Sequence, residues 1–296
     1  MPTRTPTLLA LDATNLLHRA YYALEQTQMR NRSGAPVWAL HGFVSSLAKY
    51  LEPTNPTSLL AAFDLKGGCP SRRALAPSYK QGRSPTPVEL TDQLLILPEI
   101  LAAFGVTVAT TPDWEADDLL ASAAASASAS GARAVILSSD KDAHQVISDR
   151  VVVYKPEGVF ADESYIVNKY QIAPSRWIEY AALVGEGADN LPGVSGIGPK
   201  RASTILGAFA DVEDAISDPA SLSRVTSPKI ATALVEGADT FRTNRLVGTL
   251  RTDLTFDTTR LRLSNLDPAV IIGAGEHYEI PAAARRLVEA LQRLGD

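Results

Sequence analysis

The chain has 296 residues, 45% of them hydrophobic and 21% charged, with a formal net charge of -5, which places it among soluble globular proteins of one large or two ordinary domains. A single cysteine excludes an internal disulfide, and the four histidines (His18, His41, His144, His277) show no paired zinc-ligand spacing, so a metal site has to be built from oxygen. The longest apolar runs, such as LLILPEILAAF at 94–104, stop well short of the roughly 18 residues of a membrane span, and the N-terminus has no secretory h-region; a cytoplasmic protein without a membrane partner is expected.

In chain order, TLLALDA (7–13) reads as a first strand and 38–51 as a helix. SLLAAFD (58–64) is a second strand, followed by a helix over 91–104, and VTVAT (106–110) is a third, followed by a helix over 115–130. AVILSSD (134–140) and VVVYK (151–155) are the fourth and fifth strands. Near-continuous apolar strands alternating with helices predict an α/β fold, a mostly parallel sheet flanked by helices on both faces. The low-complexity run ASAAASASAS (121–130) fits a small-residue helix lying close to the sheet, with a flexible linker as the alternative. After about residue 174 strand signals fade and the pattern turns helical, broken at Gly193, Gly196, Gly198 and Pro219, with no convincing internal repeat. Two domains are expected, 1–174 and 175–296.

The negative net charge argues at first against nucleic acid, whose binding is driven by Lys and Arg neutralising phosphates. Distribution reverses that. Residues 65–88 contain no Asp or Glu but hold Lys66, Arg72, Arg73, Lys80 and Arg83, a cationic wall apart from the acids.

The acids collect at strand ends. Asp12, Asp64 and Asp140 close the first, second and fourth strands, and ligands of an open parallel sheet gather outside the carboxyl ends of its strands. DWEADD (113–118) opens a helix that brings Glu115 and Asp118 to one face with Asp117 alongside, and Asp142 follows Asp140 by two residues. Singly, each acid has an ordinary explanation as a turn or first-helical-turn residue. Six or more together repel by several kcal/mol, on the order expected for crowded carboxylates, unless cations neutralise them. Oxygen-only ligation selects Mg²⁺ or Mn²⁺, and this many carboxylates implies two or more ions, an arrangement that suits phosphodiester cleavage.

LVGEGADNLPGVSGIGPKRAS (183–203) places Glu186 and Asp189 just before a glycine turn, Gly196 and Gly198, with Lys200 and Arg201 opening the next helix. Such a turn lets backbone amides approach a phosphate, and the helix N-terminus adds partial positive charge, as in a helix-hairpin-helix clamp on a DNA backbone. A plain tight turn is the alternative.

The stretches LLALDATNLLHRAYYAL, AAFDLKGG, YKQGRSPTP, WEADDLLAS, SSDKDAHQVISDRV and GEGADNLPGVSGIGPKRAS, with LRTDL at 250–254, occur in the order of the 5'-nuclease (flap endonuclease) family. The chain resembles that family from about residue 7 to 255, most closely the 5'-to-3' exonuclease domain of bacterial DNA polymerase I, as a stand-alone nuclease. The resemblance implies a PIN-like, metal-dependent nuclease domain with a basic helical arch near 66–90, followed by a helix-hairpin-helix DNA-binding region with C-terminal helices. It implies that Asp12, Asp64, Glu115 and Asp117 surround one metal and Asp140, Asp142 and Asp189 the other, with Glu186 at a further acid position of the second site and Asp118 supporting between them. Lys80 and Arg83 match the arch cations that meet the scissile phosphate. His18, Arg19, Arg72, Arg73, Gly196, Gly198 and Lys200 fall at DNA-binding positions, and a monovalent cation at the hairpin turn is a further expectation.

Expected activity is hydrolysis of phosphodiesters near the 5' end of one strand in branched, nicked or flapped duplex DNA during primer removal and repair. Water is the nucleophile, and the protein acts as a monomer alongside a DNA polymerase and ligase. Three departures stand out: Glu186 where the family usually has Asp, His18 where it typically has a tyrosine, and one extra residue in CPSRR, which blurs the roles of Arg72 and Arg73. Glu186 keeps open a second reading, a DNA-structure-binding protein impaired in catalysis. A haloacid-dehalogenase-like phosphatase, which also places an Asp at a strand end, wants an acid at the position of Thr14 in DATN.

Overall fold

A computed structural model of the chain describes residues 5–256 and 261–295. Strands β1 (Thr7–Asp12), β2 (Ser58–Ala62), β3 (Thr107–Ala109), β4 (Arg133–Leu137), β5 (Val151–Lys155) and β6 (Val159–Ala161) form one sheet in the order β3-β2-β1-β4-β5-β6. The first five are parallel, and β6 pairs antiparallel with β5 at the edge. Sequence patterning does not anticipate β6, a three-residue edge strand with Val159 and Phe160 exposed that follows β5 after only three residues.

The chain lays β2 and β3 on one side of β1, then crosses to place β4 and β5 on the other, so the strand order switches between β1 and β4. That switch point is where an open α/β sheet forms its crevice.

Alternation along the strands divides the core. Leu8 and Ala10 of β1 and Ala134 and Ile136 of β4 face one side, and Leu9, Leu11, Val135 and Leu137 face the other. Helices α1 (Ala13–Leu24), α2 (Trp38–Thr54) and α4 (Val88–Ala103) cover the second side, while α5 (Ala116–Ala129) covers the first. Helix α1, not anticipated from the sequence, leaves β1 without a loop, its N-cap being Asp12 itself. The run ASAAASASAS lies on α5, where Ala121, Ser122, Ala123 and Ala124 are buried, so small side chains let the helix lie close to β1 and β4. The expected helical arch contains one short helix, α3 (Pro70–Leu75); residues 76–87 run as turns and extended chain held by contacts to the acids.

The remaining helices are α6 (Glu163–Tyr170), α7 (Trp177–Val184), α8 (Pro199–Ala208), α9 (Val212–Ser217), α10 (Pro219–Val225), α11 (Pro228–Glu236), α12 (Ala238–Gly248), α13 (Pro268–His277) and α14 (Pro281–Gly295). Helices α7 to α12 pack together and reach α5 through the short turn 142–146, on which both α5 and α7 rest, whereas α13 and α14 return to the other face of the sheet, against α4 and α2. The last helices therefore join the outer layer of the sheet rather than the hairpin region with which 175–296 groups them. The apolar residues Ala283, Ala284, Leu287 and Val288 of α14 are buried there. Among the described residues no helix is long and apolar enough to cross a membrane.

Two-residue strands β7 (Gly185–Glu186) and β8 (Leu191–Pro192) pinch the loop that carries Glu186 and Asp189. The pinch needs Gly193, where a Cβ would stand 2.1 Å from the Val184 carbonyl oxygen. Gly193→Ala is expected to lower stability by about 3 kcal/mol, the upper range for overpacking. Gly207→Ala, in α8 with nothing within 4 Å of its added Cβ, is expected to leave stability unchanged or raise it by up to about 1 kcal/mol. Denaturant unfolding of the two variants reads both effects.

Candidate metal centre and nucleic-acid interface

The switch point gathers the acids. Asp12, at the end of β1, is 5% exposed; one oxygen accepts from the Asn15 amide at 3.0 Å and the other from Ser138 Oγ at 2.7 Å. Asp140 follows β4, its amide donating to Ser138 Oγ at 3.0 Å and its carboxylate accepting from the Asp142 amide at 2.9 Å. Asp64 follows β2 and accepts from the Ala116 amide at 2.8 Å, which ties it to the first turn of α5. Asp117 sits in that turn, and its Oδ1 is buried without a hydrogen-bond partner among the described residues.

These carboxylates raise one another's proton affinity. Burial, then Asp64, pushes Asp12 up to about 7, and burial, then Asp140 and Asp189, pushes Asp142 up to about 8. Asp117 is raised well above the usual carboxylate range by burial and by Asp140, Asp12, Asp64 and Asp142. Asp64 moves the same way, from the protein packed around it and from Glu115.

The other acids are already paired. Glu115 accepts from Lys80 Nζ at 2.6 Å, Tyr79 Oη at 2.8 Å and Arg72 Nη1 at 3.0 Å. Burial would raise the Glu115 carboxyl, but Lys80 and then Arg72 hold it below its ordinary value. Asp189, 8% exposed, accepts from Arg83 Nη2 at 2.5 Å, and its carbonyl accepts from the Lys80 amide at 2.8 Å. Lys80 sits at φ 56°, a left-handed backbone that is uncommon for a long side chain and is held here by these bonds. Burial would lower its ammonium, yet Glu115 and Asp189 keep it above its usual value. Glu186 is exposed, its carboxylate 3.4 Å from the Ala188 amide.

Two of the sequence-derived assignments change. Arg72, expected on DNA, is 2% exposed and turned inward, donating to Asp118, Glu115 and the Val247 carbonyl. Asp118, expected between the metals, is wholly buried, with its oxygens taken by Arg72 and by the Glu115 and Arg251 amides. A guanidinium that burial and two carboxylates surround has no face left for a phosphate. Arg73 and Arg19 are exposed. His18 is half-buried near Asp64 and Arg83, its imidazole held below its usual pKa by burial. Lys200 and Pro199 open α8 at the surface, and Gly196 turns at φ 75° with its carbonyl accepting from Arg201 Nη1 at 2.7 Å.

Sequence reasoning missed the polar scaffold. Ser138, fully buried, joins Asp12 to Asp140, Asn15 Oδ1 accepts from Ser139 Oγ at 2.7 Å, and Thr14 Oγ1 accepts from the Asp64 amide at 3.0 Å. Their signal lies in the short polar residues immediately after β1 and β4, in DATN and SSD. Tyr79 was missed as well, although it precedes Lys80 directly.

Do these residues fit divalent ions? The donor set is all carboxylate, and an orphaned, buried Asp117 oxygen lies among mutually repelling acids. Among the described residues no three of the acids yet converge on one point, with Glu115 and Asp189 bound to Lys80 and Arg83 instead. Charge and donor chemistry fit the ions; a closed ligand shell requires side-chain movement.

Residues 7–171 match the family model for the 5'-3' exonuclease N-terminal resolvase-like domain, and 172–269 match that for the 5'-3' exonuclease C-terminal SAM fold. The chain belongs to the 5'-3' exonuclease family. It is 35% identical over 248 residues to the thermostable DNA polymerase I of Thermus thermophilus, covering 83% of this chain and 29% of that protein. To DNA polymerase I of Mycobacterium tuberculosis it is 37% identical over 219 residues, covering 72% and 24%. The chain thus spans less than a third of these relatives. Among solved structures it resembles the T5 D15 protein co-crystallized with metal ions (TM-score 0.67, 19% identity, 96% of this chain and 99% of that one). It also resembles the catalytic core of Rad2 in complex with DNA substrate (TM-score 0.62, 17% identity, 99% and 95%). At these identities the likeness is one of fold.

The acid cluster predicts a pH dependence for the metal-free protein. Asp12 and Asp142 hold protons more tightly folded than unfolded, so their stabilising contribution is complete below the ordinary value of 3.8 and is lost as pH rises through about 7 and about 8. Glu115 shifts the opposite way and matters only near or below 4.5. In chelator, Tm is expected to fall by at least about 2 °C between about pH 5 and pH 8, and added Mg²⁺ to recover more at the higher pH. Thermal melts at the two pH values with and without the ion check it.

Proposed function

We propose that the chain is a structure-selective 5' nuclease, acting as 5'-to-3' exonuclease and flap endonuclease on branched, nicked or flapped duplex DNA through two divalent ions. The observation that carries this reading is the crowded carboxylate cluster with its unpartnered Asp117 oxygen, placed at the switch point of a sheet of this family. Asp12, Asp64, Glu115 and Asp117 would hold one Mg²⁺ or Mn²⁺, and Asp140, Asp142, Asp189 and Glu186 the second. Bound there, such ions would supply positive charge for the attacking and leaving oxygens of a phosphodiester and would favour water as the nucleophile near neutral pH.

The protein's own groups orient and neutralise. Lys80 and Arg83 stand beside Glu115 and Asp189, within reach of a phosphate that enters the same space, and each donates hydrogen bonds to charge that grows on the phosphate oxygens. His18 lies on α1 near Asp64, where an imidazole kept neutral suits stacking on a base, and the exposed Arg19 follows it on the same helix as a further DNA contact. Gly196, Gly198 and Lys200 hold the duplex backbone, with room for a monovalent cation at the turn, so that grip and cut are set apart by the short loop 186–198. We place this activity in the cytoplasm, in a monomer whose nicked product passes to a polymerase and ligase.

Asp12→Ala and Asp140→Ala are each expected to abolish cleavage of a 5'-flap duplex while duplex affinity falls far less. Near-parent turnover in either variant removes that site from the mechanism, and a parent that binds flaps in Mg²⁺ and Mn²⁺ without cutting them removes the nuclease reading itself.

The hairpin yields a separate expectation. An added Cβ at Gly198 meets nothing within 4 Å, so Gly198→Val should fold normally yet obstruct a phosphate and weaken duplex binding. Lys200→Ala should lower the slope of log affinity against log salt by roughly 0.9, one phosphate contact. Salt-titrated binding measures both, and parent-like behaviour in both variants would leave an ordinary turn.

A further inference from the structure

Arg72 belongs to the basic stretch but behaves as none of its neighbours do. Its side chain is 3% exposed, and its planar fork meets Asp118 in two bonds of 2.6 and 2.9 Å, Glu115 at 3.0 Å and, through Nε, the Val247 carbonyl at 2.7 Å. Three distant segments meet at this one guanidinium: the base of the arch, the acidic turn of α5 and the end of α12.

Beyond α12 lies LRTDL (250–254), a segment to which nuclease chemistry assigns no role. Its backbone crosses α5 as a strap fastened by side chains. The Arg251 amide donates to Asp118 Oδ1 at 2.9 Å. Ser122 Oγ accepts from the Leu254 amide at 3.1 Å, and its one hydrogen is shared between the Asp118 carbonyl at 2.7 Å and the Arg251 carbonyl at 3.1 Å. Gln145, just past Asp142, donates to the Gly248 carbonyl at 3.1 Å and accepts from the Leu250 amide at 3.0 Å. Trp114 packs under both Arg72 and Arg251, with ring centroids 5.8 and 5.0 Å from their guanidinium carbons.

We propose that Arg72 is a positioning residue: it locks the Glu115–Asp118 turn to the strap 247–254, and so holds the acid cluster and the hairpin helices at a set distance. The proposal rests on the nuclease reading for its consequence in catalysis and on the geometry above for the lock. A planar, always-charged fork is suited to this place because it satisfies two carboxylates and a carbonyl at once; an ammonium is a point charge without that geometry. Losing it leaves Asp118 buried without its counter-ion beside Asp117 and Glu115 with Lys80 as its remaining cation, so the Glu115–Asp118 turn loses the group that ties it to the strap. The strap loses its carbonyl anchor in the same step.

The test uses the full chain with Arg72→Gln and Arg72→Lys. Hydrogen exchange followed by mass spectrometry needs no substrate, and Arg72→Gln is expected to speed exchange in both 113–119 and 247–254, with Arg72→Lys between it and the parent. On a 5'-flap duplex, kcat should fall about a hundredfold, the scale of a misplaced reacting group, with KM and the salt slope of binding near the parent and the Mg²⁺ concentration for half-maximal activity raised. Unchanged exchange in 247–254 overturns the lock. A salt slope reduced by roughly 0.9 with kcat preserved overturns it too, because that is the signature of a direct phosphate contact. If Arg72→Gln shows no folding transition, Arg72→Lys and Asp118→Asn carry the same readings. A parent that cuts no DNA defeats the nuclease reading alone, since the exchange result still reports on the lock.

Discussion

Asp12 and Asp140 leave neighbouring strands where the chain crosses from one side of the sheet to the other, and Asp117 lies beside both in the first turn of α5. Parallel strands make this crowding unavoidable, because every carboxyl end lies at the same edge. The protein holds the arrangement in two ways. Short polar side chains, Ser138, Asn15 and Thr14, fix carboxylates and loops by hydrogen bonds, and cations from the arch pair with the outer acids, leaving Asp12, Asp117 and Asp142 without an ion pair among the described residues. That residual charge is what a divalent ion answers.

Much of this was legible in the sequence because it follows from strand periodicity. Five apolar runs pointed to the sheet and its parallel sense, and the three that close on Asp12, Asp64 and Asp140 pointed to the edge at which these acids collect. Helix α1 escaped because it leaves β1 without a loop and its N-cap is the strand's own last residue, so a site acid and a helix signal were the same letter. Strand β6 escaped because it is a short edge strand, with Val159 and Phe160 exposed, that follows β5 almost at once. The return of α13 and α14 to the sheet depends on which apolar face finds a partner far along the chain, and that is a tertiary fact.

Arg72 shows where the limit lies in the site itself. In CPSRR the two arginines are chemically alike and adjacent, yet one is inside and one outside. Only the facing of a six-residue helix onto Asp118 separates them, and neither composition nor spacing reports facing. Asp118 was likewise readable as an acid of the cluster but not as one whose bonds are already complete.

The three basic anchors of the arch differ in depth, and depth orders the ease with which each is exchanged. Arg83 has a side chain 53% exposed over Asp189, Lys80 one 21% exposed over Glu115, and Arg72 one 3% exposed between Glu115 and Asp118. Exposed ion pairs are weak and open to competition by other ions, whereas parting a buried pair leaves a charge in a poor solvent. A phosphate or a divalent ion arriving at this edge therefore meets least resistance in drawing Arg83 from Asp189, more in drawing Lys80 from Glu115, and most at Arg72. The tip of the arch can change partners while its base stays bound to the acid helix, and the same segment serves as both a movable set of cations and a fixed part of the frame.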